Sequence, residues 1–157
     1  MNRLSTAKKV AVISALVEGC SVRATSRLTG VAKGTILRLL ADVGAACARY
    51  QHTAIRHVNA RRVQVDEIWS FVGCKAKNVT PEIADKNPGA GDAWTFVAID
   101  AQSKLVLSWL IGRRDAATAT EFLQDVAGRL SSRIQLTTDG HKMYLAAVED
   151  AFGSDVD

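Results

Sequence analysis

The sequence predicts a chain of mixed class, α+β/α/β, in which three N-terminal helices are followed by a mixed sheet with helices. Three observations carry this. Residues 1–50 place apolar side chains three and four apart, interrupted by glycines. From Val63 onward, runs rich in β-branched and aromatic residues alternate with polar, glycine-containing stretches. The charge divides at the same place. Residues 1–63 hold 11 Lys+Arg against only Glu18 and Asp42, a net +9, whereas residues 64–157 hold 9 Lys+Arg against 14 Asp+Glu, a net −5. The expected organisation is therefore a helical domain at 1–50, a linker at 51–62 and a sheet-containing domain at 63–157.

In the helical part, Val10, Ile13, Leu16 and Val17 predict a first helix from Thr6, ended by Gly19. Ser21 is placed to cap a short second helix that Gly30 stops, and Ile36, Leu37, Leu39 and Leu40 mark a third that runs toward Tyr50, with Gly44 interrupting it. Helix, short helix, tight glycine turn and longer helix is the helix-turn-helix plan, whose last helix enters the DNA major groove. Lys33, Thr35 and Arg38 are then placed over base edges, and Arg23 and Arg27 over phosphates. The positive charge of this half agrees independently with a double-stranded DNA partner.

After the linker, Val63 to Gly73 reads as a strand and Lys75 to Asp92, with both prolines, as a surface loop. Ala93–Asp100 and Lys104–Gly112 read as a hairpin. A helix follows, with Thr118 and Glu121 in capping-box relation and Phe122, Leu123, Val126 and Leu130 on its apolar face. Ile134–Asp139 reads as a further strand, and His141 to Phe152 as a helix with Leu145, Val148 and Phe152 on one side. No run of eighteen apolar residues and no secretory leader are present, which leads us to expect a cytoplasmic, nucleoid-associated protein without a membrane partner. Cys20, Cys47 and Cys74 form no CxxC pair, and His52 and His57 lack further ligands at metal spacing, so neither set suggests zinc.

The chemistry concentrates in the first strand. Asp66 and Glu67 are adjacent within an otherwise apolar run, so their side chains leave opposite faces of the sheet, and at least one must reach water or a cation. Asp139 ends another strand. Three strands followed by helix, strand and helix match the start of the ribonuclease-H-like fold, in which the fourth strand lies parallel beside the first. That adjacency brings Asp139 to the acids of the first strand. Paired carboxylates with room for water suit Mg²⁺ or Mn²⁺. Spacing alone does not choose between Asp66 and Glu67.

The octapeptide Asp66-Glu67-Ile68-Trp69-Ser70-Phe71-Val72-Gly73 and the tripeptide Thr138-Asp139-Gly140, downstream of a helix-turn-helix, resemble bacterial transposases of the insertion sequence 1 family. The resemblance spans essentially the whole chain. It implies a DDE-type strand transferase that acts as a homo-oligomer on terminal inverted-repeat DNA. Asp66 and Asp139 are then the first and second catalytic, metal-binding acids, and Glu67 is not one of the set. The family's third acid is a Glu on a helix beyond a fifth strand. Neither is found before Asp157, so the expectation is a truncated core, inactive or nearly so, with the edge of the Ile134–Asp139 strand unpaired. The cysteine cluster that often precedes the family's helix-turn-helix has no counterpart. The alternative reading is a non-catalytic DNA-binding repressor or transposition inhibitor made from the same segment.

Overall fold

In the computed structural model, which describes residues 3–157, serines start the first two helices. The Ser5 and Ser21 hydroxyls accept hydrogen bonds from the amides of Lys8 and Ala24, donors that the first helical turn would otherwise leave unsatisfied. Helices α1 (Thr6–Val17) and α2 (Val22–Thr29) follow, and Gly30, at φ 68°, closes α2 in the left-handed conformation that glycine adopts without steric penalty. The 22-residue α3 (Lys33–Ala54) completes a unit that ends at Ala54. Its core is Val12, Val31 and Ile36, with Leu4, Leu16, Val22 and Leu39 packed against it.

Two expectations change here. Val12 and Leu16 share the inward face of α1, whereas Val10 and Val17, seven residues apart, share the opposite one and are exposed. Helix α3 also runs unbroken through Gly44 and takes in Gln51–Ala54. One glycine costs a helix only about 1 kcal/mol relative to alanine, and Ala45 and Ala46 follow directly.

The second unit, Ile55–Asp157, is built on a four-stranded open sheet in the order β3-β2-β1-β4. Strand β1 (Arg62–Val72) runs antiparallel to β2 (Gly91–Asp100) and parallel to β4 (Gln135–Thr137), and β3 (Val106–Gly112) is antiparallel to β2. The β2–β3 connection is bent by the Asp100 carboxylate, which accepts from the Ser103 hydroxyl and from the amides of Ser103 and Gln102. The bonds from Ser103 chiefly, then that from Gln102, hold the Asp100 carboxyl below the usual carboxylate range. Helices α5 (Ala116–Ala127) and α6 (Met143–Phe152) pack with the inner sheet face. The shared core includes Val63, Val65, Phe96, Leu107, Phe122, Leu123 and Tyr144. The opposite face, with Asp66, Ile68, Trp109 and Ile111, is turned to solvent.

The Lys75–Asp92 stretch is not a bare loop. It carries a 3₁₀ turn at Ala76–Asn78 and a short helix, α4 (Pro81–Lys86), capped by Thr80 with Pro81 in its first turn. Helix α5 is capped by Asp115, which accepts from the Thr118 amide and hydroxyl, so the Thr118–Glu121 box does not form the start. On α6 the inward stripe holds Tyr144, Ala147 and Phe152, and Leu145 is 75% exposed. The outer edge of the last strand is also paired. The amides of Ile134 and Leu136 donate to Asp155 and Asp157, and the Asp157 amide donates back to Ile134, so the final residues lie parallel beside it. This pairing covers the edge that the sequence led us to expect open. Among the described residues no helix is long and apolar enough to cross a membrane.

Candidate functional site

Strand β4 pairs with β1 only as far as Gln64, opposite Thr137. Beyond that point the two strands no longer share a ladder, and three acids gather where it ends. Asp66 and Glu67 lie two and three residues past the last β4 contact on β1. Asp139 lies in the turn that leaves β4, where the Thr138 hydroxyl accepts from the Gly140 amide at 3.0 Å and Asp139 Oδ1 accepts from the His141 amide at 2.9 Å. One carboxylate oxygen from each of Asp66, Glu67 and Asp139 lies within 4.8 Å of the others. On the solvent face, Asp66 and Asp139 border a concavity of about 500 Å³ that includes Gln64, Ile68, Val97 and Ile99.

The three acids have unlike surroundings. Asp66 is exposed, and its Oδ1 accepts from the Glu67 amide at 2.8 Å. The Glu67 side chain is 1% exposed. Its Oε2 accepts from Arg114 Nε and Nη2 at 3.1 and 3.0 Å, and its Oε1 accepts from the Tyr144 hydroxyl. Arg114 Nη2 also reaches Asp139 Oδ2 at 3.1 Å, and the guanidinium sits 4.7 Å from the centre of the Trp94 ring. The Tyr144 phenol is pushed far above its usual range, first by burial, then by its bond to Glu67 and by the negative charges of Glu67, Asp139 and Asp66.

Three carboxylates against one guanidinium leave the cluster with two uncompensated negative charges when all are ionised. All the donors on offer are hard oxygens. That set fits a divalent cation of the Mg²⁺ or Mn²⁺ class in charge and in ligand type, with room on the solvent side for the waters such ions retain.

Asp66 and Asp139 are thus brought together. The five residues expected to meet DNA lie on two helices of the other unit. Arg23 and Arg27 are one turn apart on α2, and Lys33, Thr35 and Arg38 fall near the start of α3; all are exposed except the half-buried Thr35. Sequence reasoning missed Arg114 and Tyr144 and set Glu67 aside. Tyr144 carried a signal, because Tyr144, Ala147, Val148, Ala151 and Phe152 form a complete three-and-four stripe. Arg114 carried none, since a cation between a strand and a helix reads as an ordinary connector.

The chain matches no known family model, and comparison with curated proteins finds no match.

Proposed function

We propose that this chain binds double-stranded DNA through its three N-terminal helices. We further propose that Asp66 and Asp139 are two acids of a metal-dependent DNA strand-transfer site, of the kind used by insertion sequence 1 transposases on a ribonuclease-H-like core. The observation that carries the reading is the convergence of these two carboxylates from β1 and from the turn after β4, with ligand atoms within 4.8 Å. In this reading α2 and α3 are the helix-turn-helix pair and Gly30 makes the turn. Arg23 and Arg27 meet phosphates, while Lys33, Thr35 and Arg38 face base edges.

A bound Mg²⁺ or Mn²⁺ supplies Lewis acidity toward a phosphodiester oxygen and lowers the pKa of an attacking water or 3′-hydroxyl. The residues prepare for this by orientation. Asp66 Oδ1 is held by the Glu67 amide and Asp139 Oδ1 by the His141 amide, which orients both carboxylates; the second oxygen of Asp139 is shared with Arg114 Nη2 at 3.1 Å. Glu67 is engaged by Arg114 and Tyr144 and serves as a structural anion.

The test is Mn²⁺ binding by the wild type and by Asp66→Asn and Asp139→Asn, with DNA binding measured on the same samples by fluorescence anisotropy. The reading requires that each substitution weakens Mn²⁺ binding at least tenfold while DNA affinity without metal is kept. Equal Mn²⁺ binding by all three proteins refutes the metal assignment. One observation favours the second reading, a DNA-binding repressor without catalysis: Arg114 already contacts both Glu67 and Asp139, where a cation would otherwise sit. DNA binding with no Mn²⁺ site would select it.

A further inference from the structure

We propose that Arg114 is a built-in counter-ion, which occupies Asp139 until a cation arrives and then withdraws onto Glu67. The inference rests on Asp66 and Asp139 being the cation-binding pair, and it names how that pair is controlled. Its basis is the inequality of the two ion pairs that one guanidinium makes. Toward Glu67, Arg114 gives both Nε and Nη2 to a single oxygen, at 3.1 and 3.0 Å, and the carboxylate is 1% exposed. A carboxylate so removed from water must keep its charged partner. Toward Asp139, Arg114 gives one contact, 3.1 Å from the same Nη2, and that carboxylate is 38% exposed. Water can replace this second contact and cannot replace the first. The Trp94 ring beneath the guanidinium, at 4.7 Å, steadies the position from which Arg114 makes both contacts.

Were Asp66 and Asp139 to hold a cation, Arg114 would give up its weaker arm and keep the stronger. Asp139 Oδ1 is already tied to the His141 amide, so Oδ2, the oxygen that Arg114 holds, is the one contested. Glu67 is then not a ligand. It keeps Arg114 compensated once Asp139 has changed partners. The adjacent acids of β1 divide the work, Asp66 toward the cation and Glu67 toward the arginine that the cation displaces.

The experiment is Mn²⁺ binding to the full chain, followed by electron paramagnetic resonance and calorimetry. It compares the wild type with Arg114→Gln, the double variant Glu67→Gln/Arg114→Gln, and Asp66→Asn. Loss of one positive charge about 5 Å from a divalent ion is worth about tenfold in affinity even in a water-like dielectric, so Arg114→Gln is expected to bind Mn²⁺ about tenfold more tightly. The double variant removes the buried Glu67 charge together with its Arg114 partner and keeps an acceptor for Tyr144, so it preserves the fold where the single variant leaves Glu67 uncompensated. It is expected to bind at least as tightly as the wild type, because Asp139 Oδ2 has lost its competitor. Binding by the double variant below the wild type overturns the proposal, since Glu67 would then be a ligand or Arg114 a support for Asp139. A folded Arg114→Gln that binds no more tightly than the wild type overturns it as well. If Arg114→Gln does not fold, the double variant decides. Failure of the underlying site reading gives a different pattern, in which wild type and Asp66→Asn bind alike, and that result overturns both.

Discussion

Tyr144→Phe isolates the hydrogen bond that ties α6 to the acid cluster. The substitution keeps the buried ring and removes only the hydroxyl, whose acceptor is the Glu67 carboxylate, 1% exposed. A hydrogen bond to a charged group contributes about 1.5–3 kcal/mol, so a loss of about 2 kcal/mol is expected at neutral pH. With urea slopes of about 1–3 kcal/mol per molar, the unfolding midpoint of the sheet unit falls by roughly 0.7–2 M. The pH dependence supplies a second, sharper check. The native phenol is raised far above the ordinary tyrosine value of about 10, with burial the largest cause, so it stays protonated while the unfolded tyrosine ionises. A group raised in the folded state contributes stability that is complete below its unfolded pKa and is lost as pH rises above it. At pH 11 the unfolded wild type gains about 1.4 kcal/mol from this ionisation, and Tyr144→Phe, which has no phenol there, gains nothing. The advantage of the wild type should shrink from about 2 to about 0.6 kcal/mol between pH 7 and 11. Urea titrations of both proteins at the two pH values measure it. A variant as stable as the wild type at pH 7, or a difference that stays constant to pH 11, refutes the reasoning.

Other substitutions probe independent parts of the fold. Asp125 on α5 accepts from the buried Arg129 and from Ser108 on β3; burial pushes its carboxyl up, but these bonds and the charges of Arg129 and Arg56 outweigh that and hold it below the usual range. Asp125→Asn should cost about 2 kcal/mol at pH 7, less than a fully buried pair because Asp125 is about a third exposed. A group depressed in the folded state loses its contribution as pH falls, so the deficit should close below about pH 4 in thermal unfolding curves. At Gly112 an added Cβ would lie 2.4 Å from Thr118 Cγ2, and the Thr118 hydroxyl is bonded to Asp115. Gly112→Ala should therefore destabilise by about 1–3 kcal/mol and disturb the neighbouring Arg114; an unchanged melting temperature would show that Thr118 can move. On DNA, Arg23→Ala and Arg27→Ala should each lower the slope of log affinity against log salt by about one, uniformly across sequences, whereas Lys33→Ala and Arg38→Ala should also reduce discrimination between sequences. Anisotropy titrations at several salt concentrations separate the two behaviours.

What the sequence made legible is what local rules dictate. Ser21 and Gly30 bound α2 as expected, because capping and left-handed closure depend on a few neighbouring atoms. The β2–β3 hairpin and the β1–β4 neighbourhood followed from element order, and with them the meeting of Asp66 and Asp139. The misreadings fall where two local signals compete. Asp115 and Thr118 are both competent caps, and Asp115 prevails by accepting from both the amide and the hydroxyl of Thr118. Leu145 and Tyr144 are both candidates for the inward face of α6, and Tyr144 points in because Glu67 waits there for its hydroxyl. The partner that decides the first case is only three residues away, whereas the acceptor for Tyr144 lies 77 residues earlier in the chain. Arg114 carried no local signal at all: its position has meaning only through partners distant in the chain, Glu67 47 residues earlier and Asp139 25 residues later.

The two acids of β1 show why a strand is a suitable place for such a cluster. Alternation sends Asp66 to the solvent face and Glu67 to the covered one, yet the end of the β4 ladder lets both carboxylates approach Asp139. One exposed and one buried carboxylate at neighbouring positions are held to different requirements. The exposed one can exchange water for a cation at little cost, while the buried one must keep fixed donors, and Arg114 and Tyr144 provide them. A helix would have turned adjacent acids about 100° apart on one surface, and the same two environments would have been harder to separate. The electrostatic difference between Asp66 and Glu67 thus follows from the two-residue repeat of the strand together with the point at which its parallel neighbour stops.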